Sequence, residues 1–268
     1  MTRVLSGVVL LLLTIGAVWF SPPLLFLAVA ELLLLLALIE YGRLAAASGL
    51  ELPRVASSAA GMLTCAAFAQ VAFGRAAWAA PAIDLALITA LIALAALTMS
   101  RWRGDRDALA QAAAAVFPSL YLGLPVGTMV AIRESRGPRM LLLLMLTVIV
   151  SDTAQYYAGR FFGLRRLAPT ISPKKTVEGA LAGFVFGSAC LVVAGSWWLP
   201  DVPAPFRALL GATVVLLGIA GDLFESMLKR SAGVKDSSSL IPGHGGVLDR
   251  IDSLLFAAPV YYLVLKYL

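Results

Sequence analysis

The chain has 268 residues, of which 60% are hydrophobic and 13% charged, and its mean hydropathy is +0.91. A soluble domain is closer to a quarter charged, so this composition argues against a water-soluble fold and suits lipid as the solvent. The net charge of +6 fits Lys and Arg that anchor loops at one membrane face, and no nucleic-acid partner is expected.

Arg3 precedes an apolar run that ends at Phe20, and Ser21-Pro22-Pro23 leads directly into another. No small-x-small cleavage site stands out, so the first run is expected to be a retained span rather than a signal peptide. A helix needs about 20 mostly apolar residues to cross a bilayer. Nine segments fit: 4–20, 24–41, 56–73, 82–100, 111–131, 139–158, 177–198, 207–227 and 253–268. The expected fold class is all-α, a polytopic integral membrane protein with about nine transmembrane helices. Pro118 and Pro125 interrupt the fifth segment, which either kinks while its neighbours satisfy the freed backbone groups or re-enters the membrane. Cys65 and Cys190 match no metal or disulfide spacing and read as buried small hydrophobes. Glu31, Glu40 and Asp84 lie in or beside apolar runs, with no assignable role.

Positive charge sets the topology. With the N-terminus in the cytoplasm, 15 of the 21 Lys and Arg fall inside; Arg75, Arg133, Arg136, Arg139, Arg207 and Lys266 fall outside. This is the expected bias, although the group Arg133, Arg136 and Arg139 is on the wrong side for it. The same topology puts 159–176 and 228–252 together on the cytoplasmic face. Residues 1–135 read as structural helices, and 136–268 as the half carrying a cytoplasm-facing site.

Five of the 15 acidic residues lie between 222 and 252: Asp222, Glu225, Asp236, Asp249 and Asp252. The single histidine, His244, is there too, with Lys229, Arg230, Lys235 and Arg250. Ionisable residues at membrane depth are costly and usually mark function. On a helix, Asp222, Ser226 and Lys229 share one face. Asp222 is either part of a site or an ion-pair partner of Lys229 or Arg230. Gly243, Gly245 and Gly246 flank His244, in a loop whose N–H groups can nest anionic oxygens. Asp249 and Asp252 open the last helix, where they can bind a ligand or cap the helix. Upstream, Lys174 and Lys175 open another span. They either hold phosphate at a helix N-terminus or simply anchor the loop. Asp152 interrupts segment 139–158 as a further intramembrane acid.

Carboxylates with one histidine and no nearby cysteine point to a hard, oxygen-loving ion. Magnesium is commonly held by one or two carboxylates plus substrate phosphates. Basic residues and a glycine loop suit a substrate with several phosphates, so the set points to transfer at phosphorus. There is no Walker A pattern, no Ser-His-Asp order and no zinc spacing.

The segment Ser226-Met227-Leu228-Lys229-Arg230, then Lys235-Asp236, then Pro242-Gly243-His244-Gly245-Gly246-Val247-Leu248-Asp249-Arg250-Ile251-Asp252 resembles the signature of the phosphatidate cytidylyltransferase family. Ser172–Gly179 is similar to a second block of that family, as is Ser151-Asp152-Thr153-Ala154. Ser237-Ser238-Ser239 departs mildly, where many members have threonine or glycine. The resemblance implies transfer of CMP from CTP to phosphatidic acid, giving CDP-diacylglycerol and pyrophosphate. It implies a homodimer in a bacterial-type inner (cytoplasmic) membrane, with Mg2+ on Asp222 and Asp249 and a monovalent cation such as K+ sharing the site. Lys229, Arg230, Lys235, Asp236, His244, Arg250 and Asp252 are then the expected catalytic set. Lys174, Lys175, Ser226, Gly243, Gly245, Gly246 and Asp152 are expected to bind substrate. His244 either bonds phosphate or shapes the loop. The rival readings are a CTP-dependent polyprenol kinase, a cytidylyltransferase for another lipid, and a transporter of an anionic substrate, which would also use broken helices and charges at depth.

Overall fold

Lipid offers backbone groups no hydrogen-bond partners, so long apolar runs must close their own bonds as helices. The computed structural model follows this rule. It describes residues 2–70, 76–104, 107–241, 243 and 245–268, with side chains over 7–69 and from 83 onward. Arg75, Arg106, Pro242 and His244 lie outside the described residues.

The order is α1 (Thr2–Phe20), α2 (Pro23–Ala47), α3 (Arg54–Gln70), α4 (Ala76–Arg101), α5 (Ala108–Pro118), α6 (Leu124–Arg136), α7 (Pro138–Phe162), a hairpin of β1 (Arg166–Ala168) and β2 (Ser172–Thr176), α8 (Val177–Trp198), α9 (Ala204–Ser231) and α10 (Leu248–Tyr267). The protein is an all-α integral membrane protein, with the short hairpin as a local addition. Among the described residues six helices are long and apolar enough to cross a membrane: Pro23–Ala47, Ile83–Arg101, Ala108–Arg136, Pro138–Phe162, Val177–Trp198 and Ala204–Ser231. Of the other three expected segments, α1 and α3 run to the edge of the described residues, with Gly7–Phe20 the described apolar stretch of α1 and Arg54–Gln70 that of α3, and α10 carries Asp249, Arg250 and Asp252 in its first turns.

The prolines do not break the fifth segment. A π-helical turn, Ser119–Gly123, joins α5 to α6, and the Leu124 N–H donates to the Ser119 carbonyl five residues back. The resulting 29-residue rod, Ala108–Arg136, is about 43 Å long at ~1.5 Å per residue. A re-entrant segment would have to turn back within it, and this rod does not.

Arg133, which the charge count put on the wrong side, has a structural use. It is buried, its Nε donates to the Val18 carbonyl at 3.0 Å, and its Nη2 donates to the Ser21 carbonyl. It pairs with Glu134 and lies 4.9 Å from the centre of the Phe26 ring. The guanidinium thus satisfies the carbonyls that the end of α1 leaves open.

Helices α7 and α8 approach closely along Gly179, Gly183 and Gly187, a small-xxx-small stripe. A Cβ on Gly183 would meet Gln155 Cγ at 2.4 Å and the Ser151 carbonyl at 3.0 Å. A Cβ on Gly221 of α9 would meet the Asp252 carbonyl of α10 at 2.6 Å. Gly187 of α8 sits between Ser151 of α7 and Val215 of α9, where a Cβ would meet them at 2.9 and 2.6 Å, so α7 and α9 both close on α8 while α9 closes on α10.

Candidate active site

The hairpin supplies the first part of the site. Alternate side chains of a strand point to opposite faces, so the two lysines of β2 diverge. Lys174 is exposed. Lys175 points inward, and its Nζ lies 2.5 Å from Asp222 Oδ2 on α9. Asp222 does form an ion pair, with Lys175 rather than with Lys229 or Arg230, and it does so within the cluster. Asp222 Oδ1 also accepts from Ser226 Oγ, one turn on, at 3.4 Å. Thr176 closes the hairpin by capping α8, its Oγ1 accepting from the Gly179 N–H at 3.1 Å.

Asp152 of α7 faces the same place. Its Oδ1 accepts from Gln155 Nε2 at 3.0 Å and its Oδ2 from Ser253 Oγ on α10 at 3.4 Å. Asp152, Asp222 and Asp252 lie within electrostatic reach of one another. Lys175 thus serves Asp222 and Asp152, while Asp252, beside both acids, lies within electrostatic reach of Lys229.

A second group adjoins it. Lys229 grips Glu225, which is fully buried, and also Asp249 Oδ1 at 2.5 Å. Asp249 Oδ2 accepts from the Ser237 N–H at 3.0 Å, Ser237 Oγ at 2.8 Å and the Gly246 N–H at 2.8 Å. Asp249 therefore folds the loop as well as facing the site.

The loop's N–H groups do form a nest, but the anions inside it belong to the protein. Glu40 of α2 accepts from the Val247 and Leu248 N–H groups at 3.0 and 2.8 Å, and from Ser237 Oγ and Ser238 Oγ at 3.0 and 2.7 Å. Glu40, rather than Asp249 or Asp252, caps the start of α10. Asp252 Oδ1 instead accepts from the Ser253 N–H at 2.7 Å. Gly245 has φ +80°, and a Cβ there would meet Asp249 Oδ2 at 2.6 Å. Gly246 leaves no room for a side chain between Ser237 and Glu40.

Of the sequence-predicted residues, the structure gathers Asp152, Lys175, Asp222, Ser226, Lys229, Gly245, Gly246, Asp249 and Asp252. Lys174, Lys235, Asp236, Gly243 and Arg250 are exposed, and among the described residues none of them makes an ion pair with the cluster. Arg230 ties α9 to the hairpin, its Nε donating to the Ile171 carbonyl at 3.4 Å and its Nη1 to the Val234 carbonyl at 3.2 Å. Sequence reasoning did not assign Glu40, Ser237 or Tyr121. The rule that an acid in an apolar run is costly and needs a partner applies to Glu40 and could have found it.

The donor set suits a hard cation, being carboxylate oxygens without sulfur. Asp222 and Asp249 each already hold a lysine ammonium, so both positions tolerate positive charge. Among the described residues no three acidic, histidine or cysteine side chains form a ready-made metal cage. Magnesium usually draws its remaining oxygens from substrate phosphates and water, so the residues fit that ion. Asp249 can offer Oδ1 only if Lys229 gives way.

The comparisons with known proteins agree with this chemistry. The model of the cytidylyltransferase family matches residues 1–268. The chain is 42% identical over 125 residues to a phosphatidate cytidylyltransferase of Aquifex aeolicus, covering 47% of this chain and 46% of the relative. It is 52% identical over 119 residues to one of Synechocystis sp., covering 42% and 39%. It is 35% identical over 187 residues to one of Helicobacter pylori, covering 69% and 66%. Matched segments thus span about half the length of these curated relatives.

Proposed function

We propose, from the premise that this chain belongs to the cytidylyltransferase family, that it transfers CMP from CTP to phosphatidic acid. The products are CDP-diacylglycerol and pyrophosphate. The observation that carries this reading is the pairing of Lys175 with Asp222, which joins the two polar segments into one cluster of acids and lysines beside the apolar helices. Such a cluster suits a reaction between two anions, where catalysis is mainly positioning and charge neutralisation.

In this reading a phosphate oxygen of the lipid attacks the α-phosphorus of CTP. The bond from that phosphorus to the bridging oxygen breaks, and pyrophosphate leaves. The attacking oxygen is already ionised near neutral pH, so little base catalysis is needed. Lys175 and Lys229 neutralise phosphate charge once the substrate phosphates take the places of Asp222 and Asp249 as their partners. Lys174, Arg230, Lys235 and Arg250 hold the triphosphate from the aqueous side, with Gly243 and Gly245 facing it. Asp152 and Asp252 orient Lys175 and Lys229, Ser226 orients Asp222, Asp236 acts beside Lys235 at the aqueous side, and His244 contributes from the same stretch of sequence. Asp222 and Asp249 would hold Mg2+, which supplies charge neutralisation between the two phosphates; a monovalent cation such as K+ belongs to the same proposal. The site faces the cytoplasm, where nucleotides are, from a bacterial-type inner membrane, and the enzyme works as a homodimer.

Purified protein given labelled CTP and phosphatidic acid should yield labelled lipid and free pyrophosphate in a magnesium-dependent way. Release of CDP with no label in the lipid would overturn the reading and point to a lipid kinase.

A further inference from the structure

An apolar groove of about 260 Å³ opens directly beneath the acidic cluster. Leu120 and Tyr121 of the π turn, Pro125 of α6, Leu217 of α9, and Phe256 and Pro259 of α10 line it. Leu120 is half exposed at its rim, so the groove reaches the lipid-facing surface. The volume falls below the ~300–1,000 Å³ of a drug-sized pocket; it suits part of one flexible chain, not a two-chain lipid.

Depth along the helices places this groove relative to the acids. Helix α9 runs toward the acidic face, and Leu217 precedes Asp222 by five residues. Helix α10 runs away from that face, and Phe256 and Pro259 follow Asp252 by four and seven. At ~1.5 Å per residue the groove begins about 6–8 Å deeper in the bilayer than the carboxylates. A membrane lipid whose phosphate sat at the acids would have its chains at that depth.

Tyr121 joins the two environments. Its ring lines the groove and packs edge-on against Phe224 and Phe256, with centroids 5.3 and 6.3 Å away. The residue is 4% exposed, yet its hydroxyl makes no hydrogen bond among the described residues. That hydroxyl lies within electrostatic reach of Glu225, Asp252 and Asp222. A buried hydroxyl without a partner is costly, and here it lies between an apolar groove and an anion-handling site. The π turn that carries it is itself a feature frequent at functional sites.

We propose that this groove holds one acyl chain of the lipid substrate, and that the Tyr121 hydroxyl donates to the lipid phosphate at the groove's inner end. This subsite rests on the functional reading above, and its test separates the two. Phosphatidic acid carrying a diazirine near the carboxyl end of one acyl chain, in phosphatidylcholine vesicles with wild-type protein, should label Leu217, Phe256 and Pro259 on irradiation. Excess unlabelled phosphatidic acid should suppress that labelling. Leu217→Trp should remove the labelling and raise KM for phosphatidic acid about tenfold with kcat little changed, as expected for lost uniform binding. Tyr121→Phe should likewise raise KM for phosphatidic acid and leave KM for CTP unchanged. Labelling confined to outward-facing side chains such as Leu216, or a groove covered by a second copy of the chain, would overturn the subsite. Labelling of the groove without any CTP-dependent product would uphold lipid binding there and defeat the cytidylyl-transfer reading instead.

Discussion

Glu40 Oε2 accepts a 2.8 Å hydrogen bond from the backbone N–H of Leu248, 208 residues further along the chain. The same carboxylate holds Val247, Ser237 and Ser238. A side chain near the end of the second helix thus fixes the loop and helix start that carry Asp249. Buried hydrogen bonds to a charged group contribute ~1.5–3 kcal/mol each.

We therefore expect Glu40→Ala to lower stability by about 3 kcal/mol or more, since it leaves several buried donors open at once. Activity should fall with it. Glu40→Gln should recover part of both, because its carbonyl still accepts while its amide opposes the N–H groups. Thermal melting in detergent, read beside turnover, checks this; a Glu40→Ala protein that melts like wild type would show that the loop does not depend on the cap.

The two lysines of β2 give a paired prediction. Lys175→Ala should lower kcat/KM at least a hundredfold, about 2.7 kcal/mol at ~1.36 kcal/mol per tenfold. Its melting temperature should fall as well, because the Lys175 Nζ is buried against Asp222 and its loss leaves Asp222 and Asp152 facing each other without that cation. Lys174→Ala, on the opposite strand face, should lose far less activity. Equal losses in the two variants would mean that strand alternation does not set their roles.

Much of this was legible in the sequence because lipid enforces simple patterns. The long apolar runs became helices near their expected positions, and Asp222, Glu225, Asp249 and Asp252 gathered at one place with Asp152 and Lys175, while Asp236 stayed exposed outside it. What the sequence hid were pairings between distant segments. Nothing local to Glu40 says that its partners lie two hundred residues away. Nothing in a proline pair says that a π turn will absorb it, as it does between Pro118 and Pro125. Lys174 and Lys175 were indistinguishable until a strand sent them to opposite faces. The arginine on the unexpected face, Arg133, proved to be a buried tie to the end of α1, a use that charge counting cannot register.

Asp222 and Asp249 should separate when each is changed to asparagine. Asp222→Asn removes a carboxylate with few structural bonds, so magnesium-dependent transfer should collapse while melting stays near wild type. Asp249→Asn also disturbs Ser237, Gly246 and Lys229, so it should lose activity and stability together. Breaking a buried charge pair typically costs ~3–5 kcal/mol. A magnesium titration of activity alongside melting curves decides the matter; undiminished turnover in Asp222→Asn would remove that residue from the proposed ion site.

The last prediction concerns the close approach of α7 and α8. Gly183 faces Gln155 and Ser151, and an added Cβ would come within 2.4 Å of Gln155 Cγ and 3.0 Å of the Ser151 carbonyl. Gln155 Cγ lies near the backbone end of its side chain and Gln155 Nε2 holds Asp152 Oδ1, so neither it nor the helix carbonyl gives way freely. Gly183→Ala should therefore cost ~1–3 kcal/mol, and Gly183→Leu more, by forcing the helices apart. Displacing α7 would also carry Asp152 away from Ser253, since that contact is already long at 3.4 Å. Gly183→Ala should thus reduce both melting temperature and turnover, and Gly183→Leu should reduce both further. An alanine variant that melts and turns over like wild type would show that α7 and α8 have room to spare at this contact.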